Sequence, residues 1–143
     1  MGCFDVPYAI TYFYNVYGER EISDGKYATL IALFIKKYKN GEKLTVVSPG
    51  TQIRNFTYID DIIDGLILVG EEGNGDEYGI GNQQAYSILE IAEMFDSEVE
   101  MLPERKGNRM KADVITGKTE ALGWKAKTSV NEYIKKIIEK KSN

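Results

Sequence analysis

The sequence predicts an α/β fold, in which strand segments alternate with amphipathic helices along a chain of 143 residues. Residues 7–14, PYAITYFY, are apolar, β-branched or aromatic throughout, which is typical of a strand buried on both faces of a sheet. Residues 26–40 place apolar side chains at helical spacing and end at an Asn-Gly pair, which commonly follows a helix. Two Ser-x-x-Glu capping boxes, at 87–90 and 129–132, predict further helix starts.

The other elements follow in chain order. Residues 43–47 form a strand candidate that ends in a Ser-Pro-Gly turn. Extended chain over 54–57 leads into an apolar helical run over 62–69, and Thr57 begins a T-x-x-D sequence that predicts a helix cap. The order is completed by a short strand within 73–81, a strand over 97–102, a helix over 116–122 stopped by Gly123, and a terminal helix. No linker or repeat interrupts these elements, so we expect a single domain over residues 1–143.

Composition excludes several classes of function. With a net charge of -4, the chain does not have the broad positive surface that nucleic-acid binding requires. It contains no histidine, which excludes Ser-His and Cys-His catalysis and most zinc sites, and we expect no metal. The longest apolar runs are far shorter than the roughly 20 residues that cross a bilayer. One cysteine cannot form an internal disulfide, and the first residues lack signal-peptide features, so we expect a cytoplasmic protein without a membrane partner.

Arg54 is the strongest single candidate for ligand binding. A guanidinium between an apolar strand and a helix start is costly to desolvate, so it either points to water or meets an anion such as a phosphate. Asp60 and Asp61 are neighbours, and adjacent helical side chains point about 100° apart. We therefore interpret the two carboxylates as charges at a helix start in preference to an acid and base pair.

Two further signals are weaker. A basic loop over residues 105–109 is either solvated or, together with Arg54, part of a site for a small polyanion. Residues 79–81, Gly-Ile-Gly, follow a strand as a dinucleotide fingerprint would, but Gln84 stands where the third glycine belongs. We therefore interpret these glycines as a turn.

Five short motifs occur in a familiar order and spacing. They are N-V-Y-G-E-R at 15–20, R-N-F-T-Y-I-D-D at 54–61, Y-G-I-G at 78–81, R-K-G-N at 105–108 and A-L-G-W at 121–124. Together they resemble the C-terminal half of the NAD-dependent epimerase/dehydratase family, the extended short-chain dehydrogenases that act on nucleotide sugars and include UDP-glucose 4-epimerase. The resemblance covers almost the whole chain. It implies the substrate-binding portion of an extended short-chain dehydrogenase, with remnant strands of its Rossmann sheet.

The resemblance implies four substrate-binding residues. In the family, the Asn of N-V-Y-G contacts the diphosphate or the sugar, and this residue is Asn15. Two family arginines clamp the diphosphate, and they correspond to Arg54 and Arg105. The strand before the family's glycine-rich turn touches the nucleotide base, which is the position of Val47.

The resemblance also bears on the cofactor. Phe13 and Tyr14 hold the positions of an aromatic pair that lies beside the nicotinamide of NAD in the family. The chain lacks the family's G-x-x-G-x-x-G loop for NAD and its Y-x-x-x-K pair, in which Tyr exchanges the sugar proton. We therefore expect a truncated chain with no catalytic residue and no tight binding of NAD on its own. Glu19, Asn55 and Gly79 replace the family's Pro, Asp and Asn, which leaves the particular sugar and base open.

The implied function is the substrate-binding part of an enzyme like UDP-glucose 4-epimerase, an isomerase in which NAD oxidises the sugar at C4. The alternatives are part of a 4,6-dehydratase, decarboxylase or reductase, or a binding or assembly module without chemistry. A UDP-sugar is the expected ligand. Because residues 7–14 and 76–81 correspond to strands of the family's nucleotide-binding sheet, we expect exposed apolar surface here. Such surface favours a homo-oligomer or docking with a chain that supplies the NAD domain.

Overall fold

The computed structural model describes residues 6–26, 28–104 and 115–142. Its strands are β1 (Ala9–Phe13), β2 (Val16–Tyr17), β3 (Leu44–Val47), β4 (Ile53–Arg54), β5 (Thr57–Tyr58), β6 (Gly75–Ile80), β7 (Tyr86–Ser87) and β8 (Val99–Leu102). Its helices are α1 (Leu30–Lys39), α2 (Ile59–Glu72), α3 (Ile88–Glu93), α4 (Gly117–Ala121) and α5 (Val130–Ser142). Strands and helices alternate, which confirms the predicted α/β class.

Parallel pairing dominates the strands. β1 pairs with β6, β2 with β5 and β3 with β8 in parallel, whereas β4 and β7 are antiparallel. A parallel pair needs a crossover connection, and each of these three connections contains a helix. The helices are α1 and α2 between β1 and β6, α1 between β2 and β5, and α2 and α3 between β3 and β8. In the first pair Phe13 is aligned with Ile80, so both strands end at the same edge.

The larger core lies among α1, β3, α3 and α5. The rings of Phe34 and Phe95 meet edge to face with centroids 5.9 Å apart, and Leu44, Ile91 and Ile134 are fully buried in the same cluster. Each of these elements therefore buries its apolar side against the others, and the terminal helix is part of the core.

A smaller core joins α2 and β6 to the loop before α5. It consists of Ile62, Ile80 and Trp124. Gly65 permits this packing, because a Cβ there would lie 2.9 Å from Ile80 Cγ2, closer than real Cβ contacts come. The glycine therefore lets α2 approach the sheet closely.

The prediction that residues 7–14 form a strand buried on both faces is wrong. β1 pairs only with β6 among the described residues, and Ile10, Tyr12 and Phe13 are exposed, Phe13 to 50%. The neighbouring α2 also exposes large apolar side chains. We refer to the exposed apolar residues of both elements, together with Tyr8, as the β1–α2 surface; they are Tyr8, Ile10, Tyr12, Phe13, Ile63, Leu66 and Ile67.

The local helix signals have mixed outcomes. The capping box of α3 is confirmed, because Ser87 Oγ accepts from the Glu90 N–H at 3.0 Å and Glu90 Oε1 accepts from the Ser87 N–H at 2.8 Å. The Thr57 cap is wrong, since Tyr58 is the N-cap of α2 and makes no side-chain cap bond. α1 begins at Leu30, later than the predicted residue 26. Within the described ranges, no helix has the length and hydropathy needed to cross a membrane.

Candidate functional site

Three of the four predicted substrate-binding residues line one cavity. This cavity has a volume of about 300 Å³, and Asn15, Val47 and Arg54 all contribute to its wall. The fold positions them from three places in the chain: Asn15 follows β1, Val47 ends β3, and Arg54 ends β4. Thr45, Gln52 and several apolar side chains, including that of Phe56, complete the lining, so the polar groups lie in a partly apolar environment.

Two interactions hold Arg54 in the wall of the cavity: the pairing of its strand and a hydrogen bond to the preceding residue. Strand β4 pairs with β7, which places Arg54 opposite Tyr86. The Arg54 Nη1 group donates to the Ile53 carbonyl at 3.0 Å, and the residue is half-buried. A planar guanidinium in such a partly desolvated position is well suited to bind a diphosphate.

Asn15 lies in a left-handed turn between two strands. Its φ is 43°, a conformation that asparagine tolerates better than most residues. The Thr57 N–H donates to the Asn15 carbonyl at 3.2 Å, and the β2–β5 pairing begins at the next residue. The backbone at Asn15 is therefore fixed while its side chain remains exposed beside the cavity.

The residues that follow Arg54 connect it to a distant loop. Asn55 is buried, and its Nδ2 group donates to the Asn82 carbonyl at 2.8 Å and to the Gln84 carbonyl at 3.4 Å. The Thr57 hydroxyl accepts from the Asn82 N–H at 2.8 Å. Sequence reasoning did not find these contacts, since they join positions 25 to 29 residues apart.

Asp61 has a second connecting role. It does lie in the first turn of α2, as predicted, but its buried carboxylate accepts from the Lys127 and Thr128 N–H groups at 3.1 and 3.0 Å. The Trp124 indole donates to the Asp61 carbonyl at 2.9 Å. Asp61 therefore joins α2 to the loop before α5.

The two predicted cofactor neighbours lie elsewhere. Phe13 is exposed at the end of β1, and neither Phe13 nor Tyr14 lines the 300 Å³ cavity. Tyr14 packs against Gly79, where a Cβ would lie 3.3 Å from its ring and 1.9 Å from the Ile115 carbonyl oxygen. No side chain fits at position 79 in this arrangement, which gives a physical reason for glycine at this position.

Arg105, the second predicted diphosphate ligand, lies outside the described residues, so its role stays a prediction. Among the residues that the structure describes, no three or more Asp, Glu, Cys or His side chains are grouped to bind a metal ion.

A cluster of tyrosines and glutamates lies beyond Asn15 on the β2 side. The Tyr58 hydroxyl donates to Glu19 Oε1 at 2.6 Å, which raises the pKa of Tyr58 to about 12 and lowers the pKa of the Glu19 carboxyl. Burial raises the pKa of Glu21 and of Tyr17. The tyrosines are therefore neutral at physiological pH, and Glu19 anchors the loop after β2 to the start of α2.

The sequence profile of the NAD dependent epimerase/dehydratase family matches residues 3–81, which is more than half of the chain. The chain belongs to this family. UDP-glucuronic acid decarboxylase 5 of Arabidopsis thaliana is 34% identical over 131 residues, covering 86% of this chain and 38% of the relative. The dTDP-D-glucose 4,6-dehydratase of Bos taurus is 31% identical over 147 residues, covering 93% of this chain and 40% of the relative.

The fold agrees with this family. UDP-glucose 4-epimerase of Thermotoga maritima, solved with UDP-glucose, superposes with a TM-score of 0.84 at 27% identity. The superposition covers 94% of this chain and 45% of the epimerase. The extended short-chain dehydrogenase fold is therefore confirmed, and the chain spans less than half the length of each of these three proteins.

Proposed function

We propose that this chain is the substrate-binding portion of a nucleotide-sugar-converting enzyme and that it holds the diphosphate of a UDP-sugar in the 300 Å³ cavity. The observation that carries the proposal is the convergence of Asn15, Val47 and Arg54, from three separate elements, on one cavity. Arg54 would bind the diphosphate, Asn15 the diphosphate or sugar, and Val47 the base. Arg105 is proposed as the second diphosphate ligand.

Uracil is the base that we propose. The names of both the 34% identical decarboxylase and the 27% identical epimerase contain a UDP-sugar. An epimerase-like function is our first proposal. A UDP-glucuronic acid decarboxylase is the second, because of the identity to the Arabidopsis thaliana protein.

We propose that the glycine turn at residues 79–81 does not bind the pyrophosphate of NAD. A pyrophosphate needs N–H groups at a helix start close to a glycine-rich turn. After the turn at 79–81, the next helix begins only at Ile88, so its amides follow too late in the chain. Phe13 and Tyr14 remain proposed as neighbours of the nicotinamide, and we propose no catalytic step for this chain alone.

Calorimetry tests the substrate proposal. We expect UDP, UDP-glucose and UDP-glucuronic acid to bind, and dTDP-glucose to bind more weakly. Arg54→Ala should weaken UDP binding roughly 10- to 100-fold, since hydrogen bonds to charged groups contribute about 1.5–3 kcal/mol. The matched control is Lys125→Ala, which removes one exposed positive charge outside the cavity. Equal losses for the two variants would overturn the proposal, and tighter binding of UDP-glucuronic acid than UDP-glucose would favour the decarboxylase.

We also propose that the β1–α2 surface contacts a nucleotide-binding domain. Parallel strands usually lie in sheets covered on both faces, whereas β1 has an exposed edge and exposed apolar side chains. The added strand would pair with β1, and Ile63, Leu66 and Ile67 would pack beneath it. A homo-oligomer through the same surface is the alternative.

A further inference from the structure

A second cavity lies between α1, α5 and the loop after β2. Its volume is about 590 Å³, which is within the range of small-molecule sites. It shares no lining residue with the 300 Å³ cavity. We refer to it as the α1–α5 groove, and its proposed role does not depend on the function proposed above.

The groove concentrates positive charge on an acidic protein. Five lysines line it, namely Lys36, Lys39, Lys136, Lys140 and Lys141, against two carboxylates, Glu19 and Glu21. The whole chain has a net charge of -4, so this excess of positive charge is a local feature. Such a concave, positively charged surface attracts anions.

Among the residues that the structure describes, neither carboxylate lies within 4.0 Å of a groove lysine as an ion pair. Glu19 accepts from the Tyr58 hydroxyl at 2.6 Å, and Glu21 accepts from the Thr29 hydroxyl at 2.8 Å. Among the lysines, Lys36 pairs with Asp24, and Lys141 donates to the Tyr38 carbonyl.

Three ammonium groups of the groove form no short polar contact with the described residues, although Lys140 lies near enough to Glu19 to help lower the pKa of that carboxyl. Within the part of the chain that the structure describes, Lys39, Lys136 and Lys140 make no hydrogen bond or ion pair. Favourable interaction with helix dipoles accounts for Lys39 and Lys140, because each lies near the C-terminal end of its helix. It does not account for Lys136, or for the convergence of both helices on one cavity.

Part of the wall of the groove is apolar and aromatic. Ala32 and Ile35 of α1 face the cavity from one side, and Tyr133 and Ile137 of α5 face it from the other. A ligand that carries phosphate beside an apolar or aromatic part would satisfy both surfaces.

We propose that the α1–α5 groove binds a small phosphorylated molecule with an aromatic portion. Lys136 and Lys140, one helical turn apart on α5, bind its phosphates together with Lys39. Tyr133 and Ile137 contact the aromatic portion.

The test is titration calorimetry of the full chain with ATP, which joins three phosphates to an aromatic base, and with inorganic tripolyphosphate. We expect ATP to bind at least tenfold more tightly than tripolyphosphate. The double variant Lys136→Ala/Lys140→Ala should weaken ATP binding at least tenfold and leave the Arg54-dependent binding of UDP unchanged. The matched control is Lys125→Ala/Lys135→Ala, which removes the same charge from exposed positions that do not line the groove.

Three results would overturn the proposal. The first is absence of heat with millimolar ATP, and the second is an equal loss of ATP affinity in the groove variant and its control. The third is loss of ATP binding in Arg54→Ala, which would place ATP in the 300 Å³ cavity. Circular dichroism checks that the lysine variants retain the fold.

Discussion

The two hydrophobic regions of the molecule differ in how completely they cover their own apolar residues. The region around α1, β3, α3 and α5 encloses a cluster of eleven buried residues among those described. In the region of β1, β6 and α2 the corresponding cluster has three residues, with Val69 and Tyr78 buried outside it, and the seven large side chains of the β1–α2 surface are exposed. We therefore expect the first region to be stable by itself, and the exposure in the second is the observation behind the proposed contact with another surface.

The largest effect should come from truncating the larger core. Phe34→Ala should lower the free energy of unfolding by about 3–5 kcal/mol. Phe34 is fully buried, and the surrounding side chains would only partly fill the cavity that the substitution creates. The matched variant is Phe13→Ala, in the exposed surface of β1, which should cost far less. Urea unfolding measures both. An equal loss in the free energy of unfolding for Phe34→Ala and Phe13→Ala would contradict the difference in stability between the two regions.

Asp61 tests whether the two regions unfold together. Asp61→Ala leaves the Lys127 and Thr128 N–H groups without their acceptor, so we expect a loss of about 1–3 kcal/mol. The exposed neighbour Asp60→Ala is the control and should cost much less. If Asp61 joins the regions, the variant should also lose coincidence between tryptophan fluorescence, which reports on Trp124 in the smaller core, and circular dichroism. A variant with wild-type stability would contradict this role.

The exposed surface should be visible in solution. We expect concentration-dependent association in analytical ultracentrifugation, because apolar patches and strand edges favour association. Phe13→Ser/Ile67→Ser should reduce it, whereas Ile22→Ser, an exposed apolar residue outside the surface, should not. A compact monomer at micromolar concentration would count against a homo-oligomer, and addition of a family NAD-binding domain would then test the other partner.

The smallest effect concerns Glu21, on the loop that leads to α1. Burial raises its folded pKa above the ordinary value of 4.5, so the folded state binds the proton more tightly. The resulting stability is fully present below pH 4.5 and is lost as the pH rises through the folded pKa. Glu21→Gln should flatten this part of the stability profile measured by urea unfolding. An unchanged profile would show that another group titrates there.

Local signals made much of the fold predictable. The Ser87 capping box, the stop at Gly123 and the Asn40-Gly41 end of α1 act within a few residues, and the structure has each of them. Thr57 could not be assigned in this way. Its T-x-x-D sequence is the same whether the hydroxyl caps a helix or, as here, accepts from the Asn82 N–H.

The candidate site depended on the resemblance rather than on periodicity. From sequence spacing alone, Arg54 could either point to water or bind an anion. Spacing gave no reason to consider Asn15 or Val47. The contacts of Asn55 and Asp61 were not predictable, because their partners lie 27 to 67 residues away. The apolar composition of β1 predicted packing on both faces of the strand. Among the described residues β1 packs against β6 and α2, and Ile10, Tyr12 and Phe13 stay exposed.

The close contact at Gly79 limits how this protein can change. The Ile115 carbonyl occupies the space that any side chain at position 79 would need. A single substitution of Gly79 by Asn, the residue found in the family form, would therefore clash with the Ile115 carbonyl oxygen. It would have to occur together with a different path for the chain ahead of α4, so the two segments can only evolve or be engineered as a pair.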